Sequence, residues 1–343
     1  MGDSNVMKER FEGLDGLKAY AILGIALMHI LANGNFGLNG FVFQKLIPSF
    51  TNLVFLFMMV SGFGMCCGYY QKILDQKISV EEFYKKRYMK IWPYFALLCL
   101  LDFVISPSKE SLFEVFANLT LAQGLLPNAN ISVIGVSWTL AVIFVFYMLF
   151  PFFCFLIKNK RRAWGVVLIA LIFNWLCSSY FNATRTNIIY DAVYFIGGGL
   201  IFLYRKELSD FASKNKIVIG GILLISTITY FVLGHSTITM LFFCAAALVY
   251  TLGCNRGGVL VNPVAKFLGS ISFEIYLCHM MIYRLLEKLH LVHLFGDGVI
   301  AYVFIAFTVI CGSIVFSLCA KWFLNKMNKY INIKLNYGRV SNV

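Results

Sequence analysis

The sequence predicts an all-α integral membrane protein: a bundle of about ten transmembrane helices plus one interfacial or re-entrant helix, with both termini cytoplasmic. Three observations carry that expectation. Of 343 residues, 60% are apolar and only 13% are charged, against about 45–50% and about 25% in soluble domains, so a soluble fold of this size would lack the polar groups to cover its surface. Ten apolar runs are long enough to cross a bilayer. Lysine and arginine, finally, concentrate in alternate loops, as in chains whose basic residues stay in the cytoplasm. A soluble enzyme, a nucleic-acid binder and a disordered scaffold are excluded.

A membrane-crossing helix needs about 17–25 mostly apolar residues. Runs that qualify lie at 14–32, 50–70, 90–106, 137–157, 163–181, 189–204, 217–234, 237–254, 267–289 and 298–322. The first is read as a retained helix, because Asp15, Lys18 and His29 do not suit a cleaved signal segment. An eleventh run, 112–127, is shorter and carries Glu114, Asn118 and Gln123. Charge decides its course. With ten spans and this run outside, 24 Lys and Arg lie on the cytoplasmic side, and only Lys45, Lys109, Arg185, Arg284 and Lys288 lie outside. Were 112–127 to cross, 12 would lie inside and 17 outside. The cytoplasmic bias selects the first arrangement, leaving 112–127 at the interface or dipping in and returning. The net charge of +13 then reflects topology.

One membrane domain is expected over 1–343, with a short cytoplasmic N-terminus (1–13), a basic cytoplasmic tail (323–343), no linker and no internal repeat. The ten cysteines show no CxxC pair and no Cys/His metal spacing, so neither disulfides nor a metal is expected. Asn118 and Asn182 begin Asn-X-Thr triplets that match the glycosylation pattern.

Ionisable groups inside spans are costly and therefore candidates for function. In the first span Lys18, Ile22, Ile25 and His29 share one helix face. Lys18 and His29 lie about 16 Å apart along the axis, and Asp15 stands one turn before Lys18, placed to pair with it. In the span 267–289, Ser272, Tyr276 and His279 again share a face. His279 and His29 fall at similar depth toward the outer leaflet, where they could share a polar cavity. Glu274 is off that face, a partner for a buried lysine. Arg87 and Lys90 enter the membrane beside Trp92 and Pro93, three residues apart, a spacing suited to clamping phosphate.

Six segments, taken together and in order, resemble the acyltransferase-3 family of integral membrane acyltransferases. RFEGLDGLKAYAILGIALMH (10–29) is similar to an LDGLR run followed by a histidine, and FMMVSGF (57–63) to FFxLSGF. RYMKIWP (87–93) resembles RxxR-I-x-P, WTLAVIFVFYMLFP (138–151) resembles WSLSVEEQFYLLFP, DAVYFIGGGL (191–200) resembles the FxxG stretch, and LGSISFEIYLCH (268–279) resembles LGxISYxxYLxH. The resemblance spans almost the whole chain and is to the stand-alone form, without the external hydrolase-like domain that many relatives carry. Three departures stand out: Lys18 and Lys90 replace arginines, and Ile143 with Phe144 replaces a glutamate pair.

The resemblance implies a membrane O-acyltransferase of the cell membrane. It would move an acyl group, commonly acetyl, from cytoplasmic acyl-CoA to a hydroxyl of a cell-envelope glycan or related acceptor. No cofactor is bound; acyl-CoA (acetyl-CoA) is a co-substrate. Catalytic roles fall to His29, as base or acyl carrier, and Lys18; donor binding falls to Arg87 and Lys90. Asp15, Ser61, Trp138, Tyr147, Tyr276 and His279 are supporting. Partners implied are acyl-CoA, the hydroxyl acceptor and the lipid bilayer, with a glycan-synthesis protein as a further partner. The alternative is a polytopic exporter of a polysaccharide intermediate or small solute, which ten spans and buried histidines would also suit, although an inverted repeat is not visible. A third reading, an assembly partner for a glycan synthase, leaves His29 without a task.

Overall fold

The computed structural model describes residues 11–125, 133–254 and 257–340. Among them every regular element is a helix. In chain order these are α1 (Gly13–Gly34), α2 (Val42–Leu74), α3 (Val80–Ile105), α4 (Lys109–Leu119), α5 (Ser137–Leu156), α6 (Lys160–Ser179) and α7 (Ile188–Leu203). They continue with α8 (Arg205–Lys214), α9 (Lys216–Leu233), α10 (Thr237–Leu252), α11 (Pro263–Ser270), α12 (Ser272–Lys288) and α13 (Val299–Val340). Polar residues begin many of them. Ser79, Asn159, Asn187, Ser236 and Asn262 each accept a backbone N–H from the first turn, satisfying donors that a helix start leaves free.

Six helices are long and apolar enough to cross a membrane: α1, α2, α3, α5, α6 and α13, the last over Val299–Tyr330. The pair α7 and α8 qualifies only as a bent unit, turning by 76°. The apolar stretch Lys216–Phe231 and α10 are shorter, and α12 carries Glu274, Arg284, Glu287 and Lys288 within 17 residues. Large apolar side chains such as Phe152, Trp175, Ile217, Phe242, Ile300 and Val315 face outward, the surface of a bundle whose solvent is lipid.

The end of the bundle where α1 begins is called here the near end, and the opposite one the far end. At the near end, α1 is gripped by close backbone approach: a Cβ on Gly16 would sit 2.2 Å from the Leu260 carbonyl oxygen, and one on Gly269 would sit 2.1 Å from that of Asp15. The second approach explains a correction. The apolar run 267–289 reads as one span, yet the helix breaks at Ile271 (φ −119°, ψ 12°). The break lets α11 lie under the first turn of α1 while α12 rises beside the rest of that helix. Ser272 closes the corner by donating to the Gly269 carbonyl at 2.9 Å.

Two further differences concern length. α13 runs well past residue 322, through most of the expected tail, because nothing between Lys321 and Asn336 breaks a helix. At 42 residues it is about 63 Å long. The described part of the run 112–127, up to residue 125, folds back along α3. Ser108 and Ser111 form a capping box at the start of α4, and the Leu119 and Thr120 carbonyls accept bonds from Trp92 (2.9 Å) and Tyr88 (3.2 Å), well back along α3. Its turn is a buried polar knot: Asn118 Oδ1 accepts from Gln123 Nε2 at 3.1 Å and from Ser137 Oγ at 2.9 Å. Asn118 is fully buried, so its triplet presents no acceptor for a sugar.

Candidate active site

At the far end α1 stops at Asn35, whose backbone is left-handed (φ 45°), while Asn33 Nδ2 donates to the His29 carbonyl at 2.7 Å. His29 therefore stands near the end of a helix whose exit is fixed by two asparagines. Its ring is partly exposed and meets His279 of α12, with centroids 5.3 Å apart and planes at 45°. The shared depth inferred from spacing becomes direct juxtaposition.

The backbone sets the state of His279. Its Nδ1 lies 2.7 Å from the Tyr276 carbonyl and 3.2 Å from that of Ile275. Carbonyls only accept, so Nδ1 holds the proton and Nε2 of the neutral ring is left as an acceptor. That Nε2 is buried and has no hydrogen-bond partner among the described residues. Leaving such a group unpaired costs about 1–3 kcal/mol, which marks the ring as held for something other than packing. Tyr276, 6.0 Å away by ring centroid, is anchored through its hydroxyl to Thr139 Oγ1 at 2.8 Å and the Val136 carbonyl at 3.2 Å.

The neighbouring cation is Arg185, from the turn between α6 and α7. Its guanidinium lies over the Trp138 ring at 5.2 Å and donates Nη1 to Thr51 Oγ1 at 2.9 Å. Asp191 of α7 is fully buried, and neither of its oxygens has a hydrogen-bond partner among the described residues. Thr51 also lines an open far-end cavity of about 600 Å³, with Met28, Ala32, Asn35, Phe36 and Pro48.

A second cluster lies toward the near end, around Arg87 of α3. Its Nη2 donates to the Tyr69 hydroxyl at 2.5 Å and its Nη1 to Met65 Sδ at 3.4 Å. The guanidinium also sits over the Tyr69 ring at 4.5 Å and the Tyr147 ring at 5.9 Å, while Tyr147 and Ser61 hydroxyls are 3.3 Å apart. Arg87 Nε is buried with no partner among the described residues. Lys90, one turn on, is exposed.

One face of α2 joins the clusters. Phe57 packs on Tyr276 with centroids 6.1 Å apart, and Ser61, Met65 and Tyr69 follow at steps of four residues. The helix widens to a π turn over Cys66–Tyr70, which keeps Met65 and Tyr69 on the same cation while Tyr70 reaches the Ile157 and Lys158 carbonyls on the other side. Such wide turns are common where a helix carries function.

The structure thus unites His29, His279, Tyr276 and Trp138 in one group and Arg87, Tyr147 and Ser61 in another. Lys18 belongs to neither; it pairs with Asp15 at 2.7 Å, roughly 16 Å along α1 from His29. Glu274, expected to neutralise a lysine, binds Lys321 at 2.9 Å. Arg185, Thr51, Thr139, Asp191 and Tyr69 were not singled out from the sequence. The one visible signal is a lone arginine in an otherwise uncharged loop, one of the few basic residues expected outside.

No curated protein and no solved structure matches the chain. A family model described as "Acyltransferase domain" (Acyl_transf_3) matches residues 11–318, nearly the whole length. The protein is therefore a membrane acyltransferase, and it belongs to the Acyl_transf_3 family.

Proposed function

We propose that the protein crosses the cell membrane ten times with both termini in the cytoplasm. In this reading it moves an acyl group, above all acetyl, from cytoplasmic acyl-CoA to a hydroxyl of a cell-envelope glycan or related acceptor. The observation that carries the proposal is the His29–His279 pair: a partly exposed imidazole backed by a buried one whose free Nε2 can only accept.

The donor enters at the near end, its phosphates meeting Arg87 and Lys90, with Lys18 adding positive charge at that mouth. Its acyl-bearing arm follows the Phe57–Ser61–Met65–Tyr69 face of α2 toward His29. The acceptor arrives through the far-end cavity. His29 takes the hydroxyl proton as the oxygen attacks the thioester carbonyl carbon; the carbonyl electron pair moves to its oxygen. The pair then returns, the C–S bond breaks, and the thiolate takes the proton from His29. Imidazole suits both transfers near neutral pH. A turn of the His29 ring that brings one N–H onto the open His279 Nε2 would leave the opposite nitrogen free to act as the base.

The test is His29→Gln in purified, reconstituted protein, following CoA release from acetyl-CoA and label in an oligosaccharide acceptor. Gln keeps hydrogen bonding but cannot take up a proton, so transfer should fall by about 10²–10⁴-fold while the protein elutes as the wild type does. Near-normal transfer by the variant would remove His29 from the mechanism.

A further inference from the structure

We infer that Arg185 is a catalytic residue of the transfer, its guanidinium holding the oxygen anion of the tetrahedral intermediate beside His29. The inference rests on the acyl-transfer reading above.

Four observations on the page lead to it. The side chain is fixed at two points, the Trp138 ring and Thr51 Oγ1, which come from α5 and α2. A planar guanidinium offers five N–H donors, and only the bond to Thr51 is formed within the described chain, so most of the fork is unused. Its anchor Thr51 lines the far-end cavity together with Met28 and Ala32, which flank His29, the group that must lie beside the reacting hydroxyl. Finally, no carboxylate closes on the fork: Asp191 is fully buried, and neither of its oxygens has a hydrogen-bond partner among the described residues.

An arginine that closes no bidentate bridge with a carboxylate keeps its donors open for a negative charge that exists only during the reaction. When the hydroxyl oxygen attacks, the carbonyl π pair moves to oxygen and becomes the anion; two Arg185 N–H groups bind it, the proton goes to His29, and collapse returns the pair as the thiolate leaves. Thr51 lines the far-end cavity and orients Arg185, so arrival of the acceptor and stabilisation of its adduct occur at one wall.

The experiment compares wild type and Arg185→Gln in reconstituted protein, using acetyl-CoA and a soluble oligosaccharide. The reading predicts about a 10²–10³-fold fall in kcat, the effect of losing an oxyanion donor, with the KM values for donor and acceptor within about threefold. Millimolar guanidinium added to Arg185→Ala should restore part of kcat. A variant that raises only the acceptor KM would make Arg185 a binding residue and overturn the inference, as would an unchanged kcat. Should Arg185→Gln not fold, the nearly isosteric Thr51→Val carries the same test, with kcat lowered about fivefold for one lost orienting bond; unchanged kcat there overturns the inference too. A wild type that transfers nothing from acetyl-CoA would instead defeat the acyl-CoA reading itself, so the two failures are distinct.

Discussion

An arginine with a buried and unpartnered Nε still has a directed donor to give. Arg87 is in that state, its other nitrogens engaged by Tyr69 and Met65 and its plane framed by two tyrosines. A phosphate oxygen would satisfy it, and charge-assisted bonds of this kind are worth about 1.5–3 kcal/mol. Replacing Arg87 and Lys90 together with Ala should therefore raise the KM for acetyl-CoA about tenfold or more, while kcat changes less, since the phosphates lie far from the bond being made. Equal affinity for CoA before and after would return both residues to a topological role. Arg87 was legible in the sequence because a cation entering an apolar run is conspicuous. Tyr69 was not, because its approach depends on a π turn that no residue spacing announces. Arg185 was hidden by its location: it stands in a loop and not in a span, and its partner Thr51 is 134 residues away.

At the level of elements, apolar runs located most helices to within a few residues, and their failures are instructive. Ile271 breaks a helix although its side chain is helix-compatible; the cause is the proximity of α1, a tertiary fact. Glycines divide by the same logic. Gly198 of α7 and Gly62 of α2 both lie where these two helices touch: a Cβ on Gly198 would lie 2.1 Å from the Met59 carbonyl oxygen, and one on Gly62 would lie 2.3 Å from that of Phe195. Small residues permit such approach where no water drives helices together. Gly198→Ala should separate α2 from α7 and cost about 1–3 kcal/mol or more, seen as a lower midpoint of thermal unfolding in detergent. Gly165 of α6 meets nothing within 4 Å of a built Cβ, so Gly165→Ala should be neutral or stabilise by up to about 1 kcal/mol. Equal behaviour of the two variants would show that α2 and α7 do not pack as described.

For the molecule as a whole, the proposed ten crossings make a clean prediction for accessibility. Single cysteines at Ser108 and Thr184 should react with an impermeant reagent from outside, and those at Lys158 and Lys206 only from inside. Labelling of position 158 from outside would invert everything after α4 and remove the shared depth of His29 and His279. The juxtaposition of His29 and His279 also has a meaning in time. The two rings are 250 residues apart in the chain, and at a synthesis rate of about 5–20 residues per second α1 waits roughly 10–50 s for the helix that completes its site. Through that interval the nascent protein has its base but not the imidazole that orients it, and a chain cut short before α12 would enter the membrane chemically silent.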